Sequence, residues 1–424
     1  MGEFQFKSTG LQDLQDAWSS YKYLKQREHG AVFQYDSVVA NYYKYMALKP
    51  VKGVDGNHGA VFNTEFSPDG KVVVAACERS TFKIYDPLSQ RLIYTNDRAH
   101  DDGINCVRFL DPKLFLTCSD DKTLALWDLR NLKSKVYSLV GHTNWVKSIE
   151  YCRNTKLLVT SAFDDTIRVW DLNKPARSGF VEGKVVLKIP RLTRMKLTPC
   201  STKMIISSIA GHLVIIHNLD LEQLSTKPGD YWLPFWTMSG SYHNAARKAT
   251  NNVPWSDRNK FEIIEEFPEG VTPWCISSLE VHPHGWCVVI RYSSGEWHQE
   301  WTAVYDVQSP SIDESEASKP TKPQRLIYCI VEPNVARGYI KEPCFSNDGR
   351  VIGSPFGNTS RLLTFSKSCD ELCKCVRSRP CQLTDFKTLV GHKQPVLTCR
   401  FSPTHPILSS GCRGGKVAFF YPQL

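Results

Sequence analysis

Residues 146–151, Val-Lys-Ser-Ile-Glu-Tyr, alternate between apolar and polar side chains. That is the period of a strand with one buried face. Asn154-Thr155 then supplies turn chemistry, residues 157–161 (LLVTS) a second strand, and Phe163-Asp164-Asp165 another turn. Residues 166–171 (TIRVWD) read as a third strand, and residues 185–189 (VVLKI) supply a fourth. The same succession of apolar runs and turns returns elsewhere. His58 leads through FSPDG (66–70) to Tyr85-Asp86, and Ala99-His100 leads through FLDPK (109–113) to Trp127-Asp128. Gly141-His142 leads through Tyr151 to Trp170-Asp171, and Gly391-His392 leads through FSPTH (401–405) to Phe420-Tyr421. From His to the later aromatic the distance is 27, 27, 28 and 28 residues, and Phe66, Phe109 and Tyr151 are spaced by 43 and 42.

Three weaker copies lie between the strong ones. LTPCS (197–201) leads to His217-Asn218, VHPHG (281–285) to Tyr305-Asp306, and FSNDG (345–349) to Arg361-Leu362-Leu363. Repeats therefore start near 58, 100, 142, 190, 273, 337 and 391. A period of this length, with four strands and a Trp-Asp pair, is that of a WD-repeat blade. The fold expected is all-β: a seven-bladed WD-repeat β-propeller with an N-terminal helical extension.

Within a strong blade, a His, a Ser or Thr, a turn Asp and the Trp sit where a buried hydrogen-bond chain can join them, since buried polar groups require partners. The spacing assigns His100, Thr117, Asp121 and Trp127 to one such set, and His142, Thr160, Asp164 and Trp170 to another. The same residue types would serve a hydrolase, but this spacing is that of a structural tetrad. The chain reaches Leu424 just after the third strand of blade seven. An open sheet edge is adhesive, so a fourth strand is expected from the segment 45–54.

Residues 1–47 do not read as propeller and form a helix-loop-helix extension; residues 48–424 form the ring. Leu11, Leu14, Trp18, Tyr21 and Leu24 recur at helical spacing, with Gly30 as a stop, and a second helix follows Asp36 with Val38, Tyr42 and Tyr45 on one face. These helices either cap the propeller's own surface or offer an apolar stripe to a partner's groove. Residues 221–270 read as an insertion between blades four and five, with Trp232, Phe235, Trp236 and Trp255 among polar residues; residues 308–323 read as a flexible loop.

Composition adjusts this picture little. Hydrophobic residues make up 42%, enough for a large core. The net charge of +9 is spread along the chain and implies no nucleic acid. No apolar run is long enough to span a membrane, and the opening residues MGEFQFKSTG are not a secretory signal, so an intracellular location is expected, in nucleus or cytoplasm. The 15 Cys then read as reduced thiols. Cys369, Cys373, Cys375 and Cys381 invite zinc, but their uneven spacing is not that of paired knuckles, and no metal or cofactor is expected. No phosphate loop, HExxH or kinase motif is present, which gives an enzyme no support.

The runs NHGAVFNTEFSPDG (57–70), RFLDPKLFLTCSDDKTLALWDLR (108–130), GHTNWVKSIEYCRNTKLLVTSAFD (141–164), GYIKEPCFSNDGR (338–350) and FSPTHPILSSGC (401–412) together resemble the cullin-4-associated WD-repeat factors. The resemblance implies a substrate receptor of a cullin-4 RING ubiquitin ligase. It would bridge the adaptor, damaged-DNA-binding protein one, to an unknown target protein. In that family a W-D-x-R box on the bottom face meets the adaptor and an N-terminal helix-loop-helix enters its cleft. Trp127-Asp128-Leu129-Arg130 fits the box, with Arg130 as the contact and Trp127 and Asp128 as supports. Trp170-Asp171-Leu172-Asn173 departs at its fourth position. The helix with Leu11, Leu14 and Trp18 would be the inserted element. A general scaffold in chromatin or RNA-processing complexes is the competing reading.

Overall fold

Most apolar runs are short and end at a turn rich in Gly, Asp, Asn, Ser or Pro, so each folds back antiparallel on the run before it. In a computed structural model that describes residues 35–49, 58–173, 180–189, 192–208, 211, 213–225, 258–264, 266, 273–293, 299–308, 324–335 and 340–423, this produces seven sheets. Each carries a four-stranded antiparallel meander; blade three, for example, runs Val146–Cys152, Leu157–Ala162, Thr166–Asp171 and Lys184–Lys188. Two sheets gain a fifth, parallel strand from the following blade: Phe180–Glu182 joins blade two beside Tyr137–Val140, and Cys381–Gln382 joins blade five beside Leu326–Pro333.

The second strands are buried along nearly their whole length, at every position in Val73–Cys77 and Leu157–Ala162, because neighbouring blades cover both faces. Apolar clusters form between blades. Phe82 of blade one meets Phe115 and Trp127 of blade two edge-on, with ring centroids 5.4 and 5.0 Å apart. Burying each such ring stabilises by roughly 1.5–3 kcal/mol.

The seventh blade closes the ring. Val417–Pro422 pairs with Leu408–Cys412 on one side and with Met46–Lys49 on the other, in the register Met46 to Pro422 and Lys49 to Phe419. The donor strand thus comes from the expected segment. It begins at Met46, so the last two residues of the stretch 1–47 belong to the propeller. Before it runs the helix Tyr35–Lys44. Among its residues whose side chains are described, Val39 and Tyr43 are buried, one position away from the expected face. Tyr43 decides the rotation: its ring stacks edge-on against Phe401 at 5.9 Å and its hydroxyl donates to Asp348 at 2.8 Å. Tyr45 is left exposed. Leu11, Leu14, Trp18, Tyr21 and Leu24 lie outside the described residues.

A second correction concerns the insertion. Lys260–Ile264 is the outer strand of blade four, paired with Leu213–His217. The chain therefore leaves and re-enters within that blade, not between blades four and five. Residues 226–257, with Trp232, Phe235, Trp236 and Trp255, lie outside the described residues, as do 309–323. Alternation alone missed the strand because KFEII is only half-buried and carries two charges. Among the described residues no helix is long and apolar enough to cross a membrane.

Candidate protein-docking faces

Because strands alternate in direction, the loops sort onto two opposite ends. One end carries the turns between second and third strands and the links to the next blade. The other carries the turns between first and second and between third and outer strands.

At the first end stand the tetrads. Trp127 Nε1 donates to Thr117 Oγ1 at 2.9 Å, Thr117 Oγ1 lies 2.8 Å from His100 Nε2, and His100 Nδ1 lies 2.8 Å from Asp121 Oδ2. In blade three Trp170, Thr160, His142 and Asp164 repeat the chain at 2.8, 2.8 and 2.9 Å. With Nδ1–H donating to Asp and Nε2 accepting from Thr, every polar atom along the chain is paired. The threonines are fully buried, so no substrate reaches their hydroxyls. Asp121 also accepts from the backbone of Asp101 and Thr123, and Asp164 from that of Thr143 and Thr166. Each Asp therefore fastens two loops together. Burial opposes ionisation of both carboxyls, but hydrogen bonds from His, Thr and backbone hold them well below the usual carboxylate range.

The other blades substitute different polar struts. His392 Nε2 meets Ser410 Oγ at 2.6 Å in blade seven, with Phe420 in place of Trp. In blade four His217 Nε2 meets Glu262 at 2.7 Å, and Arg325 of blade five pairs with the same carboxylate. In blade six Arg361 pairs with Glu332 and stacks on Phe356. At the opposite end, His282 Nε2 donates to the Gly349 carbonyl at 2.9 Å, its Nδ1 accepting from the His284 N–H.

The central channel is closed by charge. Glu65, Arg108, Glu150, Lys196, Glu280 and Arg400 occupy equivalent positions on six innermost strands, and each touches the next: Glu65 to Arg108 at 3.1 Å, Arg108 to Glu150, Glu150 to Lys196 at 3.4 Å, Lys196 to Glu280 at 3.1 Å, Glu280 to Arg400 at 2.6 Å, and Arg400 back to Glu65 at 2.8 Å. Blade six places the buried Cys344 there. One tier away, Arg194 Nη2 reaches Glu342 at 2.7 Å. The periodicity had a legible signal, since each ring residue immediately precedes an apolar or aromatic residue at or next to the end of its strand, such as Phe66, Phe109 and Tyr151. Beyond the ring, toward the second end, the channel opens into a cup of about 400 Å³ walled by Phe66, Phe109, Leu197, Phe345 and Phe401.

At the second end lies Arg130. The Leu124–Asp128 strand joins Asp121 at the first end to Arg130 at the second, a span of ~17 Å for five residues. Trp127 is buried and supports the turn from within. Asp128 Oδ1 accepts from the Arg130 backbone N–H and from Nε, each at 2.9 Å, while Nη2 donates to Oδ2 at 2.5 Å. The pair with Arg130 lowers the Asp128 pKa to about 2. The arginine side chain remains 66% accessible, and its Nη1 donors take no part in that pair. Charge-assisted bracing of this sort orients a guanidinium without covering it. In blade three the corresponding residue is Asn173, whose backbone N–H is held by Asp171.

The cysteine cluster disperses. Cys369 is buried, Cys373 is exposed beside Glu371, and Cys381 faces the Arg379 carbonyl; among the described residues no group of His, Cys, Asp and Glu is arranged to hold a metal.

The model of the WD domain, G-beta repeat, matches residues 48–86, 91–128, 133–171 and 384–420. These are the first three blades and the last, the ones whose repeat is strong in sequence. Over 383 residues the chain is 45% identical to DDB1- and CUL4-associated factor 10 of Danio rerio, covering 86% of this chain and 75% of the relative. It is 40% identical to the factor of the same name from Xenopus laevis, over 96% of each chain, and 40% identical to that of Homo sapiens, over 95% of this chain and 78% of the relative. The chain belongs to the DDB1- and CUL4-associated factor 10 family. The likeness to the family runs through the degenerate blades, whose struts differ from those of the repeat consensus.

Proposed function

We propose that this chain is the substrate receptor of a cullin-4 RING ubiquitin ligase. It binds the adaptor DDB1, and through it cullin-4, with the Arg130 end, and holds a target protein at the tetrad end. It acts inside the cell, in nucleus or cytoplasm, and catalyses nothing itself; ubiquitin transfer belongs to the partners. The observation that carries the reading is Arg130, exposed and braced by Asp128 on the face opposite the tetrads, in a chain whose relatives are named for DDB1 and CUL4. Leu11, Leu14 and Trp18 are proposed to supply the helix that enters the adaptor, with Trp127 and Asp128 supporting the arginine. The sealed channel and the buried tetrad hydroxyls support a non-catalytic role.

Purified full-length protein and purified DDB1 test this directly. Binding is expected, with a loss of about tenfold or more, ~1.4 kcal/mol, on Arg130→Ala and a larger loss on deletion of residues 1–40. Absence of binding by the full-length chain removes the proposal.

A further inference from the structure

Among the described residues the tetrad end carries one exposed aromatic side chain, beside exposed aliphatics such as Val140 and Val390. Trp145 is 45% exposed; the other exposed large hydrophobics among the described residues are Tyr45 and aliphatic side chains. Holding an indole at the surface forgoes burial that would stabilise the fold, which is how interface anchors are distinguished from scattered surface aliphatics.

The indole is also held in place. The Phe163 N–H donates to the Trp145 carbonyl at 2.9 Å, Asn144 Oδ1 accepts from the Trp145 N–H at 2.8 Å, and Asn144 Nδ2 donates to the Phe163 carbonyl at 3.2 Å. The Phe163 ring lies 6.1 Å from that of Trp145. Lys147 Nζ sits 4.8 Å from the Trp145 centroid and 5.2 Å from that of Phe163, fixed by Asp120 and Asn105 at 2.9 Å each. The loops behind this pair are the ones that Asp121 and Asp164 fasten, so the ledge is preorganised before anything binds.

The surroundings are acidic although the chain as a whole is +9. In 99–105, 119–123, 141–147 and 161–165, the stretches that make this end of blades two and three, six residues are Asp and two, Lys122 and Lys147, are Lys. Lys147 is already engaged by Asp120. Asp101 and Asp102 are exposed beside them, with the Asp120 N–H bonded to the Gly103 carbonyl. An aromatic ledge bordered by carboxylates complements an apolar side chain with a cation next to it and repels acidic segments and nucleic acid.

We propose that the Trp145–Phe163 ledge is the docking point for an extended target segment in which a large apolar residue stands beside Lys or Arg. The apolar side chain packs on Trp145 and the cation faces Asp101 and Asp102. This rests on the receptor reading for its biological meaning, but not for its binding chemistry. Since Arg130 lies at the opposite end, both partners bind together.

The test uses the full chain and an immobilised library of capped nine-residue peptides, each with a fixed central Leu or Phe and randomised flanks. Enrichment of Lys or Arg next to the apolar residue is expected. A synthetic peptide from the enriched set is expected to lose about tenfold or more in affinity on Trp145→Ala and on Asp101→Lys with Asp102→Lys, to keep it on Trp145→Phe, and to bind more weakly as salt rises. No enrichment, enrichment of acidic flanks, or undiminished affinity in Trp145→Ala overturns the proposal. DDB1 binding measured on the same preparations separates the two readings. Peptide binding without DDB1 binding defeats the receptor reading and leaves the ledge. DDB1 binding without peptide enrichment does the reverse.

Discussion

Thr160 serves two groups at once: its oxygen accepts from Trp170 and lies in hydrogen-bond reach of His142, whose other nitrogen meets Asp164. Such a chain has no spare member, so its loss is felt at a distance. Asp164→Ala is expected to leave the His142 Nδ1–H and the backbone N–H groups of Thr143 and Thr166 unpaired, costing roughly 3 kcal/mol. Thermal melting is expected to drop by several degrees, and an unchanged melting temperature would show that the tetrad contributes nothing. Arg130→Ala is expected to do the opposite, weakening DDB1 binding while melting stays put, because the side chain is exposed and its partner Asp128 lies at the surface beside it. Residue types and spacing grouped the tetrads in advance. Trp145 was not legible, since a tryptophan before a strand reads as core until its neighbours are known.

Among the elements, the strand Met46–Lys49 does most for its length. It covers the outer edge of Val417–Pro422, which otherwise presents free backbone donors and acceptors. The helix Tyr35–Lys44 then packs Val39 and Tyr43 against blade seven. A chain lacking residues 1–34 is expected to remain monomeric and folded, whereas one lacking residues 1–49 is expected to aggregate. Size-exclusion chromatography with light scattering distinguishes them; a soluble monomer from the shorter chain would mean that the closing strand is dispensable. That a strand must come from near residue 50 followed from counting, because three strands cannot finish a four-stranded blade. The buried face of the helix did not follow. Val38 with Tyr42 and Val39 with Tyr43 are equivalent amphipathic choices until Asp348 and Phe401, some three hundred residues later, favour one of them.

At the scale of the molecule, seven blades place an odd number of strands around the channel, and charges cannot alternate around an odd cycle without one neutral position. Cys344 is that position, and the six remaining residues form a closed alternating ring. The ring makes stability sensitive to acid. Burial opposes ionisation of Glu280, yet Lys196, Arg400 and Arg108 bring its pKa down to about 2, so its contribution is complete above the ordinary glutamate range and is lost as pH falls from about 4.5 toward 2. Two histidines act earlier. Burial lowers His282 and His392 to about 4, so between about 6.5 and 4 the unfolded chain takes up protons that the folded one refuses. Stability is expected to fall by ~1.4 kcal/mol per pH unit for each of them across that interval. Melts at pH 7.5, 5.5 and 3.5 check both steps; a flat profile from 7.5 to 5.5 would contradict the buried-histidine part. Glu280→Gln, which leaves Lys196 and Arg400 sharing fewer carboxylates, is expected to cost ~3 kcal/mol at neutral pH.

The sequence by itself determined the number of blades, their boundaries in the strong repeats, the tetrads and the need for a borrowed strand. All of these depend on short-range spacing, where strand period and turn chemistry act within one blade. Only the tertiary structure decided that Lys260–Ile264 completes blade four, that the helix buries Tyr43, that six charged residues meet around the axis and that Trp145 stands exposed above carboxylates from the neighbouring blade. The physical reason is common to these cases. Each joins segments that local spacing does not connect: Lys260–Ile264 returns to its own blade after a long excursion, and the others meet where closing the ring brings blades together, so that their distances are set by where blades meet and not by how many residues separate them.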